Sequence, residues 1–97
     1  MTVYAIAQIS IHDRAVYDRY VSGFRPVLAQ YGGTLLAADE SPEVIEGEWA
    51  RHKVILLRFA DRAGFDAWAQ SPEYQEISRD RLAATEGEVI LVRGLTR

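Results

Sequence analysis

The alternation of apolar and polar residues predicts four strands in this chain. The first covers residues 3–11, where the odd-numbered positions are apolar and either small or β-branched. Three further apolar segments, at residues 34–38, 54–59 and 88–94, are bounded by polar or glycine-containing stretches. We therefore expect a sheet of four short strands.

Helical spacing of apolar residues predicts a long helix after the first strand. Asp13 is placed to cap its N-terminus, and one side of it is apolar at Tyr17, Tyr20, Phe24, Val27 or Leu28, and Tyr31. Gly32-Gly33 should end this helix in a left-handed cap, and Pro26 predicts a kink because its ring clashes with the preceding turn. A second helical region begins after Asp61 and restarts at Ser71-Pro72, where serine caps the helix and proline is tolerated.

The element order β-α-β-β-α-β predicts an α+β fold of the ferredoxin-like type, as a single domain of residues 1–97. In this fold an antiparallel four-stranded sheet carries its helices on one face. The third and fourth strands are nevertheless apolar on both sides. In the third strand Ile55 and Leu57 oppose Val54, Leu56 and Phe59, and in the fourth strand Val89 and Leu91 oppose Ile90 and Val92. Because the helices cover only one face, we expect a homodimer in which the other packs against a second sheet.

The composition narrows the functional classes. Acidic residues outnumber basic ones by 14 to 11, and the net charge of −3 argues against a nucleic-acid-binding protein. The absence of cysteine excludes disulfides, thiolate catalysis and Cys-ligated metal centres. The N-terminus carries no basic leader region and no apolar run is long enough to span a membrane, so we expect a cytoplasmic protein without a membrane partner.

Arg81 is the residue that points most directly to a site. It lies on a helical stripe that is otherwise apolar, formed by Tyr74, Ile77, Arg81 and Ala84. A guanidinium on a buried stripe must find a carboxylate, a set of carbonyls or an anionic ligand. Two interpretations stay open. Arg81 binds a ligand anion, with a hydrogen bond from the Tyr74 hydroxyl, or it pairs with Glu46 or Glu73 and holds the helix to a loop.

Four other residues are candidates for the site. Glu46 and Trp49, in the motif Glu46-Gly47-x-Trp49, would place a general base and an indole at the rim of a pocket. The alternative is a turn in which Gly47 has a positive φ and Trp49 packs over the barrel end. Tyr4 is a candidate for the pocket wall, whereas the tyrosines of the first helix are assigned to the core. His12, beside Asp13, is a second candidate base, the alternative being a solvated loop histidine.

A metal site is not expected. The two histidines are not at ligand spacing, and the acidic segment 39–48 lacks the residue pattern of a calcium-binding loop. The chain also lacks the glycine-rich fingerprints of nucleotide-binding loops. We therefore expect neither a metal nor a bound cofactor.

With these residues placed, the chain resembles the bacterial family called domain of unknown function 1330, of the dimeric α/β-barrel superfamily. The resemblance is carried along nearly the whole chain by Tyr4, Asp13, Tyr17, Tyr20, Pro26, Tyr31-Gly32-Gly33, Glu46-Gly47, Trp49, Phe59, Trp68, Ser71-Pro72-Glu73-Tyr74-Gln75, Arg81 and Gly94. It implies two ferredoxin-like subunits whose sheets pack face to face into a barrel. The chain departs from the family pattern at Thr34 and at residues 38–40, where the family tends to carry a basic residue and a glycine-rich turn.

Two functional hypotheses follow. In the first, the homodimer encloses in each subunit a mostly apolar pocket for a small organic molecule, with a carboxylate as the anion suited to Arg81. The superfamily resemblance adds an enzymatic version, a cofactor-independent oxygenase or isomerase, in which Tyr74 or Tyr4 donates a hydrogen bond and Glu46 or His12 moves a proton. In the second, the protein is a non-catalytic binding or interaction module whose polar residues are structural. Fold alone does not choose between them.

Overall fold

The computed structural model describes residues 1–95 and confirms the expected ferredoxin-like order of elements. These are β1 (Val3–Ile11), α1 (Arg14–Gln30), β2 (Thr34–Asp39), β3 (Lys53–Phe59), α2 (Arg62–Ala69), α3 (Pro72–Ala84) and β4 (Thr85–Arg93). The second helical region is thus divided into α2 and α3. No helix in the part of the chain that the structure describes has the length and apolar character needed to cross a membrane.

The four strands form one antiparallel sheet in the order β2-β3-β1-β4. β4 follows α3 directly and begins at Thr85, three residues earlier than the sequence indicated. Its early start is explained by pairing, because Thr85 lies in register with Ile11 at the end of β1 and extends the ladder over the full length of that strand. β2 contains a β-bulge at Leu36, where the register with β3 shifts between Leu35 and Ala37.

The caps predicted from the sequence are formed. The Asp13 side chain accepts a hydrogen bond from the Val16 N–H, and the Ser71 side chain caps α3 in the same way. α1 ends in a left-handed glycine, since Gly32 has a φ of +76°. The N–H groups of Gly32 and Gly33 donate to the carbonyls of two residues of the last turn, which is the Schellman arrangement. α1 continues through Pro26 as one helix, and a kink there stays a prediction.

The hydrophobic core lies between the helices and one face of the sheet. The stripe predicted along α1 is buried at Tyr17, Tyr20, Phe24 and Leu28. Phe59 was assigned to the opposite face of the sheet, and that assignment is wrong. With 1% of its surface exposed, Phe59 packs against Phe65 and Trp68 on the helical side, because it has the same strand parity as Leu57.

The other face of the sheet, which we call the open face, is not covered by helices. Its apolar side chains include Ile6, Leu56, Ile90 and Val92, and Ile90 is 55% exposed. The segment between β2 and β3 is acidic and almost fully exposed, and it also carries exposed apolar residues, among them Ile45 and Trp49. The open face and this segment together leave several apolar side chains exposed in one chain, among them Ile90, Ile45 and Trp49.

Candidate functional site

A cavity of about 290 Å³ lies between the sheet and the helices. The sheet contributes Ala5, Ala7, Ile9, Leu35, Ala38, Lys53, Ile55, Leu57 and Val89 to its wall. The helices contribute Tyr17, Tyr20, Val21, Phe24, Arg25, Phe65, Trp68, Ala69, Tyr74 and Arg81. The alanines of the central strand β1 face large aromatic residues of α1, and their small side chains leave the space that the cavity occupies. The enclosure is therefore mostly apolar, with few polar groups.

Arg81 reaches this cavity from the last turn of α3. Its Nε is buried and has no hydrogen-bond partner among residues 1–95. Neither Glu73 nor Glu46, the two acidic partners that the sequence suggested, forms an ion pair with Arg81. Glu73 accepts a hydrogen bond of 2.7 Å from the Tyr31 hydroxyl, and Glu46 lies on the exposed segment between β2 and β3. A buried guanidinium N–H without an acceptor is costly, which makes Arg81 the strongest unsatisfied donor of the cavity wall.

Two tyrosine hydroxyls meet at the wall of the cavity that Arg81 also lines. The hydroxyl oxygens of Tyr20 and Tyr74 are 3.1 Å apart and buried. Burial, with a further contribution from Tyr74, raises the pKa of Tyr20 well above its ordinary value, while the charge of Arg81 acts in the opposite direction. The Tyr20 hydroxyl therefore stays protonated at neutral pH, and one of the two hydroxyls keeps a proton to donate to a ligand.

Lys53 is, with Arg25 and Arg81, one of the cationic residues of the cavity wall. Only 8% of the residue is exposed, and its Nζ lies 4.8 Å from the centre of the Tyr17 ring. The nearest acid is Glu40, 3.9 Å away, which is also held by two hydrogen bonds from Arg14. The hydrogen bonds from Arg14 lower the pKa of Glu40 and keep it ionised at neutral pH. The three side chains tie the first turn of α1 to the end of β2.

Trp68 lines the cavity at the opposite end from Lys53. Its ring centre lies 4.1 Å from that of Tyr74 and 5.4 Å from that of Phe59. The residue is 5% exposed, and its indole Nε1 has no hydrogen-bond partner in the described part of the chain. Sequence reasoning did not select Trp68 or Lys53 for the site, and it assigned Tyr17 and Tyr20 to the core alone. Whether these four residues line the cavity depends on which side of each strand faces the helices.

The structure brings together only some of the residues that the sequence suggested. Arg81 and Tyr74 line the same cavity. Tyr4 lies on the open face, in register with Arg58 of β3, because it has the opposite strand parity from the alanines of the cavity wall.

The remaining candidates lie away from the cavity. His12 is exposed between β1 and α1. Glu46 and Trp49 border a separate shallow groove formed by the acidic segment, where Gly47 has the expected positive φ of +78°. Among residues 1–95 no cluster of His, Cys, Asp or Glu has the arrangement of a metal site.

Comparison with known proteins gives a family and a fold. The family described as "Domain of unknown function (DUF1330)" matches residues 2–95, whereas no curated protein matches the chain. The chain is similar in structure to RPA0582, a protein of unknown function from Rhodopseudomonas palustris, with a TM-score of 0.83 and 16% identity over 99% of this chain and 84% of that one.

Two further solved structures share the fold. A dimeric ferredoxin-like protein of unknown function from Jannaschia sp. has a TM-score of 0.74 and 16% identity, over 97% of this chain and 100% of that one. SnoaB, a cofactor-independent oxygenase from Streptomyces nogalater, has a TM-score of 0.62 and 15% identity, over 99% of this chain and 95% of that one. At these identities the likeness concerns the fold.

Proposed function

The chain belongs to the DUF1330 family, and from its cavity we propose that it binds one small organic carboxylate in each subunit of a homodimer. The observation that carries this proposal is the buried Nε of Arg81, which has no acceptor among residues 1–95 although its side chain lines a cavity. A carboxylate supplies the acceptor oxygens and the charge that this guanidinium requires. The hydroxyls of Tyr20 and Tyr74, two residues that line the same cavity, would donate a further hydrogen bond to the ligand.

The size and lining of the cavity favour a small aromatic or aliphatic acid. A cavity of about 150 Å³ is enough to hold benzene, and this one is about 290 Å³. One substituted ring or two fused rings would therefore fill it. The aromatic side chains of Phe24, Phe65 and Trp68 form part of the wall and would pack against such a ring.

We propose the homodimer because the open face of the sheet carries apolar side chains that helices α1, α2 and α3 leave uncovered. A monomer rarely exposes an apolar patch larger than a few hundred Å², and here an uncovered sheet face carries Ile90 at 55% exposure. The family resemblance and the dimeric neighbour from Jannaschia support the same arrangement. Packing of two open faces would bury this surface in an interface related by a two-fold axis.

A catalytic role, as a cofactor-independent oxygenase or isomerase, is the second candidate. It is favoured by the buried hydroxyl pair of Tyr20 and Tyr74, which would polarise a ligand carbonyl inside an apolar enclosure. The fold shared with SnoaB is compatible with it. Incubation of a bound acid with the protein in air, followed by chromatography coupled to mass spectrometry, separates the two roles, because an oxygenated product differs in mass and an isomer differs in retention time. An acid recovered unchanged supports binding alone, and a new product at a rate proportional to protein concentration supports catalysis.

The binding proposal is tested with benzoate and its uncharged isostere benzamide. We expect calorimetry and thermal shift to detect benzoate in the parent and in Arg79→Met, a control that removes an exposed positive charge from the same helix. In Arg81→Met, affinity for benzoate should fall at least about tenfold, since a hydrogen bond to a charged group contributes about 1.5–3 kcal/mol. Three results would refute the proposal: equal binding of benzoate by the parent and by Arg81→Met, equal binding of benzoate and benzamide by the parent, or no binding of any aromatic or aliphatic carboxylate to the parent.

A further inference from the structure

The indole N–H of Trp68, a residue of the cavity wall, is a second unsatisfied buried donor. Indole nitrogen is a donor only, so nothing but an acceptor can satisfy it. Trp68 Nε1 is buried and without a partner among residues 1–95, and Trp68 itself is 5% exposed. Buried polar groups in proteins are nearly always hydrogen-bonded, so an exception that lines a cavity calls for an explanation.

The packing around Trp68 prevents the ring from turning to another acceptor. The indole contacts four aromatic rings on different elements, those of Phe24, Phe59, Phe65 and Tyr74, with centroid separations between 4.1 and 6.1 Å. Rotating the ring would require several of these neighbours to move. The N–H is therefore held in one direction before any ligand arrives.

Trp68 and Arg81 lie at opposite ends of the cavity. Trp68 packs against Phe59, the last residue of β3, which lies in register with the start of β1. Arg81 is one turn before Thr85, which lies in register with the end of β1, and the Thr85 hydroxyl donates to the Arg81 carbonyl at 2.7 Å. A molecule whose carboxylate reaches Arg81 therefore extends its far end toward Trp68.

We propose that Trp68 Nε1 is a second recognition point that binds a neutral acceptor oxygen of the ligand. This inference rests on the proposed function and narrows its ligand class to acids with a carbonyl or hydroxyl oxygen at the end away from the carboxylate. The oxygen is neutral because the rings of Phe24 and Phe65 pack against Trp68 and would not stabilise a second charge.

The test uses isosteric ligands and the two tryptophans of the chain. Acetylbenzoate and isopropylbenzoate are nearly equal in size, and in the isopropyl compound a methyl group and a hydrogen take the place of the carbonyl oxygen. All three ring isomers of each are used, so that the acetyl oxygen is presented at three different angles to the carboxylate. Indole-¹⁵N labelling gives one N–H signal for Trp68 and one for Trp49, which is 51% exposed and away from the cavity and serves as the internal control. The variant Trp49→Phe assigns the two signals.

We expect at least one acetyl isomer to shift the Trp68 N–H signal downfield, as hydrogen bonding does, and to bind about tenfold more tightly than its isopropyl counterpart. Trp49 should not respond. In Trp68→Phe the acetyl and isopropyl compounds of each pair should bind with equal affinity. The parent spectra alone decide the matter if this variant does not fold. Equal affinities within each pair, with no selective shift of the Trp68 signal, would overturn the inference.

Acetophenone and isopropylbenzene separate this inference from the binding of carboxylates, because neither has an acid group. If acetophenone alone shifts the Trp68 signal while no benzoate binds, the carboxylate proposal fails and the role of Trp68 stands. If benzoate binds through Arg81 but neither acetophenone nor any acetylbenzoate shifts the Trp68 signal selectively, the role of Trp68 fails and the carboxylate proposal stands. Absence of binding by all of these compounds would overturn both.

Discussion

Replacement of Arg81 by methionine should leave the protein as stable as the parent or make it more stable. Methionine keeps an unbranched side chain on the α3 stripe and removes a buried N–H that has no acceptor among residues 1–95. An unsatisfied buried polar group costs about 1–3 kcal/mol. Arg81 is partly exposed, and only its Nε is both buried and unpartnered. We therefore expect Arg81→Met to raise the free energy of unfolding by between zero and about 1 kcal/mol. In a domain of this size, 1 kcal/mol corresponds to about 4–8 °C in melting temperature.

Urea unfolding followed by circular dichroism, together with thermal melts, measures this change without any ligand. Arg79→Met is again the matched control, and it should alter the free energy of unfolding by no more than about 0.5 kcal/mol, as exposed substitutions usually do. The opposite interpretation, a structural ion pair, requires Arg81→Met to leave a buried carboxylate unpaired at a cost of about 3–5 kcal/mol. A loss of that size would refute the description of Arg81 as an unpaired donor.

Three further predictions follow from the fold. Gly33→Ala should lower the melting temperature more than Gly32→Ala, because a methyl group at Gly33 would overlap core side chains. A methyl group at Gly32 meets open space, so that substitution costs only the strain of a left-handed backbone, about 1–2 kcal/mol. Equal melting temperatures of the two variants would contradict this prediction. The pKa of Glu40 is lowered in the folded state by Arg14, so this pair stabilises at neutral pH and its contribution is lost as pH falls through that lowered pKa. Urea unfolding at several pH values should accordingly show a gap between the parent and Glu40→Gln that closes on acidification, and a constant gap would argue against the pair. Light scattering at micromolar concentration should give about twice the 10.9 kDa chain mass for the parent. It should give a lower mass for Ile90→Lys, because this substitution places a charge on the open face. A monomeric parent would rule out the dimer.

Features that depend on neighbouring residues were predictable from the sequence. Asp13 and Ser71 act as helix caps and Gly32 takes the left-handed conformation, because each of these roles is decided within one helical turn. The order of elements then allows few topologies, which is why the ferredoxin-like fold was predicted correctly. Arg81 stood out for a similar reason, since a charge on an apolar helical stripe is visible in the sequence.

The composition of the cavity was less predictable because it depends on registers between distant segments. Tyr4 was preferred over Tyr17 and Tyr20 for the pocket, yet only the side of β1 that carries the alanines faces the helices. The unpartnered N–H of Trp68 is a property of five packed rings and has no local signal. Lys53, at the start of a strand, gives no indication in the sequence that it would be buried. The catalytic roles suggested for Glu46 and His12 stay predictions.

The β-bulge at Leu36 affects how the chain can vary in length. Because two residues of β2 stand opposite one of β3, Leu35 and Ala38 both face the cavity although they are three positions apart. Deletion of Leu36 would leave a regular ladder with the same two residues facing inward. β1 has no bulged residue that could be removed in this way, since it pairs regularly with β3 on one side and β4 on the other. A deletion within β1 would turn every later side chain of the strand to the other face of the sheet. Natural single-residue deletions should therefore be found in β2 and be absent from β1.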